Sequence, residues 1–272
     1  MTQGRIIEIQ QNSIVLQNIS GKHSVSLNPK VIHEVHPQIG DIAEAQTPSY
    51  FKILTPTLTP QKNKWMSHVL NPKRLHGTQV RHKVENAIRE FFLNQNFIET
   101  KTPLLVPCPG MEIHIRPYEI KQGGYLPTSP EFAMKRLLVG GLEKIFQITK
   151  SFRYEPVSTT HHPEFTMLEW YRAYSDYEQI MRDTEELFEF LALKLFGKPE
   201  ITYQEQTISV KTPWPRLKIR DLFLSLGVDL VKCANTELMH AECKRLGLQT
   251  APQDTWDDLY FRIWLKIGRA HV

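Results

Sequence analysis

Hydrophobic residues recur at two spacings along this chain, and the change from one to the other divides it. Between 5 and 46 apolar and polar residues alternate in short runs, at 5–9, 13–16, 23–27 and 42–45, with breaks at Asn12, Gly21 and Gly40. Such alternation turns one face of each run inward and predicts half-buried strands. Together they predict a small compact β-barrel. Pro48, Pro56 and Pro60, with Thr55, Thr57 and Thr59, then make a polar, proline-punctuated linker ending near Met66, where a domain boundary is expected.

Past the linker the spacing becomes helical. Val80, Val84, Ile88, Phe91 and Phe92 form the stripe of an amphipathic helix that ends at 94–96. The chain turns extended over 97–100, before Pro103. Ser129-Pro130-Glu131 places a capping hydroxyl before a proline at the first helical position, predicting a helix over 132–139 closed by Gly140 and Gly141. Segments 144–155 and 164–173 read as strands joined by the polar loop 156–163, hence antiparallel. Ser175 with Glu178 reads as a capping box for a helix carrying Ile180, Met181, Leu187, Phe188 and Leu191, stopped by Gly197 and Pro199.

Composition adds limits. At 272 residues, 41% hydrophobic and 23% charged, the chain can bury a core and is neither disordered nor fibrous. No run approaches the ~20 apolar residues of a membrane helix. The opening Met1-Thr2-Gln3-Gly4-Arg5 lacks a secretory apolar segment, so a cytoplasmic address and no membrane partner are expected. Cys108, Cys233 and Cys243 are odd in number and widely spaced, which suggests neither a disulfide framework nor zinc. The net charge of +4 is the difference of 33 basic and 29 acidic residues and assigns no partner.

Alternation along 165–171 puts Phe165, Met167, Glu169 and Tyr171 on one face of a strand. A carboxylate among apolar and aromatic groups is costly unless it meets a cation or several donors. Glu169 therefore either pairs internally, with a partner such as Arg153, or awaits a cationic ligand. On the preceding strand Arg153 and Glu155 are expected to share a face. They offer either a guanidinium suited to bidentate capture of carboxylate or phosphate, or a cross-strand ion pair. His161 and His162 are adjacent, point apart and have no third ligand nearby, so no metal site is expected. There is no P-loop, no G-x-G-x-x-G and no G-x-S-x-G elbow. Cys108, between Pro107 and Pro109, has no activating neighbour and reads as structural.

The stretches YLPTSPEFAMKRLLVGG, IFQITKSFRYEP and HHPEFTMLEWYRAYSDY, between Tyr125 and Tyr177, resemble the catalytic core of class II aminoacyl-tRNA synthetases of the lysine type. TPLLVPCPGMEIHIRPYEI and TWDDLYFRIWL resemble the branch that attaches a lysine-type residue to elongation factor P, a paralogue of lysyl-tRNA synthetase. The resemblance implies an α+β fold: the antiparallel sheet of the class II core, preceded by a small OB-like β-barrel. It also implies ATP and Mg2+ as cofactors. Arg153 would hold the ATP α-phosphate and the amino-acid carboxylate, Glu155 would read adenine, Phe165 would stack on it, and His161 would lie in the ATP-binding loop. Glu131 would lie near the substrate α-amine, and Glu169 and Tyr171 around its side-chain amine. The helix and strand leading to Pro103 look like motif 1, which implies a homodimer.

The activity implied is activation of lysine or β-lysine as an aminoacyl-adenylate and its transfer to a lysine of elongation factor P. The alternatives are tRNA as the acceptor, and a non-catalytic binding or regulatory paralogue. The family pattern is not met everywhere: Thr159 and Thr160 stand where arginines are usual, and Tyr154 and His162 replace asparagines. Motif 3, with its γ-phosphate arginine and metal-holding acids, would lie beyond TWDDLYFRIWL. The expected organisation is 1–60 for the small β domain and linker, and 61–266 for a catalytic domain with motifs 1 and 2 and without motif 3. The last six residues, IGRAHV, are what the opening bases of a common short-read sequencing adapter encode, and 267–272 is expected to be an artefact of that origin. Lacking one wall of the ATP site, the 272-residue chain is expected not to support pyrophosphate exchange.

Overall fold

The computed structural model describes residues 1–18, 20–57 and 71–270. They fall into two units, Met1–Ile180 with Phe190–Pro199, and Met181–Glu189 with Glu200–Val272.

The first unit opens with strands β1 (Thr2–Ile9), β2 (Ser13–Asn18) and β3 (Gly21–Ser26), helix α1 (Pro29–Val35), and strands β4 (Ile42–Gln46) and β5 (Tyr50–Thr55). They form one antiparallel sheet in the order β3-β2-β1-β4-β5. Its core is the set of inward positions that alternation marks: Ile6, Ile14, Leu16, Val25, Leu27, Ala43, Ala45 and Phe51. The predicted strands are all present. Among the described residues the ladder does not close into a ring, because β3 and β5 are its edges.

Within 1–57, two elements lie where the sequence predicts none. Strand β5 occupies the start of the expected linker, where Phe51 is buried and Gln46 to Ile42 of β4 supply a pairing edge. Helix α1 is started by Asn28, whose side chain accepts from the Lys30 amide at 3.0 Å, with Pro29 in the first turn. The rest of the expected linker, to about Met66, falls within 58–70 and lies outside the described residues.

Helix α2 (Pro72–Asn94) begins before the apolar stripe does, because Asn71 caps it through the Lys73 amide and Pro72 suits the first turn. Its Phe92 is fully buried, stacking on Phe146 at 4.9 Å and meeting Phe97 and Trp170 at 5.0 and 5.4 Å. Strand β6 (Ile98–Glu99) follows, held to the helix by Arg89, whose Nε donates to both Glu99 carboxylate oxygens at 3.0 and 3.1 Å. A short pair, β7 (Tyr118–Glu119) and β8 (Tyr125–Leu126), leads to helix α3 (Glu131–Val139). Ser129 accepts from the Glu131 amide at 3.3 Å, with Pro130 one place ahead of the first helical residue rather than on it.

The sheet that carries the site consists of β6, β9 (Lys144–Phe152) and β10 (Glu164–Arg172) in the order β10-β9-β6. β9 and β10 pair antiparallel without a break, from Glu164 opposite Phe152 to Arg172 opposite Lys144, and β6 joins β9 in parallel. One face, with Phe146 and Trp170, packs on Phe92. The other carries Gln147, Thr149 and Ser151 opposite Glu169, Met167 and Phe165. The expected strand 144–155 is shorter than predicted. After Phe152 the chain turns away, with the Glu155 amide bonding back to the Arg153 carbonyl at 2.8 Å. Arg153 and Glu155 therefore sit in a loop rather than two apart on one strand face.

Helix α4 (Tyr177–Phe196) spans residues of both units. Its cap is Asp176, accepting from the Gln179 amide at 3.1 Å, and not Ser175, whose hydroxyl donates to the Ala173 carbonyl. Gly197 ends it at φ 73°.

The second unit contains the hairpin β11 (Glu200–Tyr203) and β12 (Gln206–Ser209) and helices α5 (Ile219–Ser225), α6 (Thr236–Arg245) and α7 (Trp256–Ala270). Phe223, Met239, Cys243, Leu259 and Ile263 are its fully buried centre. Thr255 and Asp258 of the TWDD stretch cap α7 reciprocally: Asp258 accepts from the Thr255 amide and hydroxyl, and the Thr255 hydroxyl accepts from the Asp258 amide. No described helix is long and apolar enough to cross a membrane.

Glu185 of α4 is a buried acid that is fully engaged. It accepts from the Trp214 amide at 2.5 Å and from both terminal nitrogens of Arg216 at 3.1 and 2.8 Å. The Arg216 bond, then the Trp214 amide, hold its carboxyl below the usual range. A depressed acid stabilises the fold above its ordinary pKa, and that stability is lost as pH falls through the depressed value. Glu185→Gln is expected to lower the melting temperature at neutral pH and to flatten its fall on the acid side. Thermal melts across about pH 3 to 7 test this; an unchanged acid limb counts against it.

Candidate active site

The outer face of β9 and β10 is where the singled-out side chains gather. Glu169 and Tyr171 lie two apart on β10, and the Tyr171 hydroxyl donates to Glu169 Oε2 at 2.8 Å. Both are half-buried. Burial pushes the Glu169 carboxyl above its ordinary value, the Tyr171 bond opposes this in part, and the carboxylates of Glu131 and Glu112 push it further up. Tyr171 is driven upward as well, by burial first and then by its carboxylate partner. Glu169 thus meets a hydroxyl and two like charges, and forms no ion pair among the described residues.

Helix α3 brings Glu131 to this face at its N-terminus. Its one ion pair among the described residues is with its neighbour a turn along, Lys135, whose Nζ lies 2.5 Å from Oε1 in an exposed pairing. Lys135 also draws the Glu169 carboxyl downward, as the least of the influences on it.

At the other end of the face Arg153 lies over the Phe165 ring, with 5.2 Å from the guanidinium carbon to the ring centre. Its backbone continues the ladder by one bond, its amide donating to the Pro163 carbonyl at 2.9 Å. Arg153 forms no ion pair among the described residues, and its buried Nε makes no hydrogen bond. Neither Glu155 nor Glu169 neutralises it.

The loop after Arg153 is tied by hydroxyls. Ser158 Oγ accepts from the amides of Thr160 and His161 at 3.3 and 2.9 Å. His161 Nδ1 lies 3.0 Å from Thr160 Oγ1 and 3.3 Å from Ser158 Oγ, which leaves Nε2 outward on an exposed ring. His162 turns elsewhere, with Nδ1 3.0 Å from the Glu164 carbonyl. Tyr154 stands under Arg116 at 4.5 Å and edge-on to Tyr118 at 5.2 Å.

The structure therefore brings Glu131, Glu169 and Tyr171 together at one end of the face and Arg153 and Phe165 at the other, with Glu155 and His161 in the adjoining loop. Sequence reasoning missed Glu112 and Gln147. Gln147 is buried on the site face, its Nε2 donating to Thr102 Oγ1 at 3.0 Å. Its position opposite Glu169 was available once β9 and β10 were aligned. Glu112 sits in an irregular segment, and only its nearness to Gly110 between Pro109 and Pro117 hinted at a shaped loop.

A helix packed on one face of this sheet, with an acidic and an arginine–aromatic end on the other, defines a class of protein. Residues 56–256 match the family described as tRNA synthetases class II (D, K and N), and the chain belongs to that family. Within it the chain is of the lysine type. It is 40% identical over 199 residues to a lysine–tRNA ligase of Psychrobacter sp. (strain PRwf-1), covering 71% of this chain and 39% of that protein. It is 34% identical over 239 residues to the lysine–tRNA ligase of Pelotomaculum thermopropionicum, covering 80% of this chain and 47% of that protein. A lysine–tRNA ligase of Coxiella burnetii (strain RSA 331 / Henzerling II) is 40% identical over 171 residues. The chain spans less than half the length of these relatives.

Proposed function

We propose that this chain carries the amino-acid and adenine half of a ligase that activates lysine or β-lysine as an aminoacyl-adenylate and passes it to a lysine of elongation factor P. The observation that carries the reading is the cluster of like charge at Glu169. A half-buried carboxylate pushed upward by burial and then by Glu131 and Glu112, and hydrogen-bonded among the described residues by Tyr171 alone, gains most from a cationic side chain. The substrate ammonium is that cation, and Glu131 faces its second amine.

Arg153 and Phe165 supply the nucleotide end. Adenine stacks on the Phe165 ring, Glu155 reads its edge and His161 contacts the phosphates from the loop. The substrate carboxylate attacks the α-phosphorus in line and pyrophosphate leaves. The Arg153 guanidinium offsets charge gathering on the phosphorus oxygens and orients the attacking carboxylate. In the second step the acceptor's amine displaces AMP. Among the described residues no three metal-ligating side chains converge where Mg2+ could be held.

Arg153→Ala is expected to slow lysine-dependent pyrophosphate exchange by the whole protein on the order of 10²- to 10³-fold, as for loss of a group aimed at transition-state charge. Lysine binding should weaken but persist, because Glu169 and Tyr171 still meet the side-chain amine. Exchange at the unaltered rate with an intact circular dichroism spectrum would remove Arg153 from the mechanism.

A second reading, tRNA as acceptor, is favoured by the names of the relatives. Against it, the five-stranded sheet, read as an OB-like domain within 1–60, offers one exposed aromatic side chain. This is Tyr50, whose hydroxyl donates to Glu44 at 3.0 Å; Phe51 is buried. Stacking on single-stranded nucleic acid needs more than that. The motif 1 segment, α2 with β6, is the proposed dimer surface. Incubating the whole protein with ATP, labelled lysine and either acceptor decides between the two: label on elongation factor P supports the proposal, and label on tRNA alone replaces it.

A further inference from the structure

We propose that Gln147 is a positioning residue of this site: held by the hydroxyls of Thr100 and Thr102, it fixes the strand place opposite Glu169 and so sets the chain length of the amino acid that Glu169 accepts. The inference rests on the lysine-activating reading above.

A glutamine is a costly occupant of this place. Its neighbours in β9, Ile145 and Phe146, are fully buried, and Gln147 itself is 2% exposed. Burying a primary amide costs free energy unless its groups are hydrogen-bonded, and an aliphatic side chain would avoid that cost. Here two threonines meet it. Gln147 Nε2 donates to Thr102 Oγ1 at 3.0 Å, and Thr100 Oγ1 donates toward Gln147 Oε1 over a longer 3.4 Å.

These bonds stand where the backbone ladder gives out. β6 pairs with β9 at two positions, Ile98 opposite Ile145 and Glu99 opposite Phe146. One backbone bond follows, from the Thr100 amide to the Phe146 carbonyl at 2.9 Å. Beyond it the Gln147 amide carries the link to Thr102. A buried network of this kind, with its members bonded to one another, favours one arrangement of the strands it joins.

On the other side of β9, Gln147 is the direct partner of Glu169 in the pairing with β10. Directly opposed residues share a face, with Cβ atoms about 5 Å apart. Side chains of this face do meet across the two strands: the Ser151 hydroxyl donates to Met167 Sδ at 3.7 Å. Glu169 is the one acid on this face of β9 and β10. For a substrate whose carboxylate is held at Arg153, the place of the Glu169 carboxylate along the sheet decides how long a side chain brings an amine to it. Gln147 and its two threonines secure that end of the span.

Lysine and ornithine carry the same groups and differ by one methylene. The ratio of their affinities therefore reads the span, whereas a loss of folded protein weakens both alike and leaves the ratio unchanged. In titration calorimetry the 272-residue chain is expected to prefer lysine, and Gln147→Met and Thr102→Val each to shrink that preference roughly tenfold, within what one methylene is worth. Thr102→Ser keeps the hydroxyl and is expected to keep the preference. Gln147→Met retains the side-chain length and Thr102→Val the side-chain shape; if Gln147→Met does not fold, the two Thr102 variants decide. An unaltered chain that binds lysine without preferring it to ornithine overturns the inference alone, as does a preference unchanged in Thr102→Val or lost as far in Thr102→Ser. If the unaltered chain binds no lysine, the lysine-activating reading fails and the inference falls with it.

Discussion

Glu169→Gln is expected to abolish useful lysine binding while making the protein itself more stable at neutral pH. The carboxylate holds the substrate's side-chain amine in the proposed site, and removing one partner of a desolvated charge pair costs roughly 2–5 kcal/mol in affinity. In the unliganded protein the same charge is a burden. Burial, Glu131 and Glu112 all raise its pKa. A carboxyl raised in the folded state contributes stability below its ordinary value, and that contribution is lost as pH rises through the raised one. A glutamine keeps an oxygen for the Tyr171 hydroxyl and carries no charge, so it escapes that loss. Lysine titrations and thermal melts at neutral and mildly acid pH read both effects. Lysine affinity within twofold of the unaltered protein, or a lower melting temperature at neutral pH, would sink the dual role.

Phe92→Ala carries the largest expected loss of stability, about 3–5 kcal/mol for truncating a buried aromatic. Phe92 is fully buried and touches Phe91, Phe97, Phe146 and Trp170, so one deletion opens a cavity between α2 and the inner face of the site sheet. Trp170 lies between Glu169 and Tyr171 in sequence, and loosening it frees the strand that presents them. Urea denaturation followed by far-ultraviolet circular dichroism measures the loss. A change below about 1 kcal/mol, typical of a surface substitution, would mean that this layer does not hold the sheet.

The sequence made the site sheet legible because its evidence is periodic. Alternation over 165–171 named the face of Glu169, and the polar loop between two strands named their antiparallel pairing. Capping was legible in kind but off by one place: Asp176 and not Ser175 starts α4, because either side chain can accept an amide bond and only the backbone decides which. The turn at Phe152 was not legible, since nothing in Arg153-Tyr154-Glu155 breaks a strand until Pro156. Strand β5 was hidden by prolines and threonines that suggest a linker, and it forms because β4 offers it an edge. Glu112 was beyond reach, because it comes from an irregular segment that no periodicity marks.

The unbroken pairing of β9 with β10 limits where this protein can change length. Every residue from Glu164 to Arg172 has a fixed opposite number, with no bulge to absorb an extra one. One inserted residue before Glu169 would turn Glu169 and Tyr171 into the layer around Phe92 and bring Trp170 out onto the site face. A deletion would do the same in reverse. Gains and losses of residues are therefore confined to the connecting loop, 153–163, where lengthening can alter how nucleotide phosphates are met without moving the carboxylates that choose the amino acid.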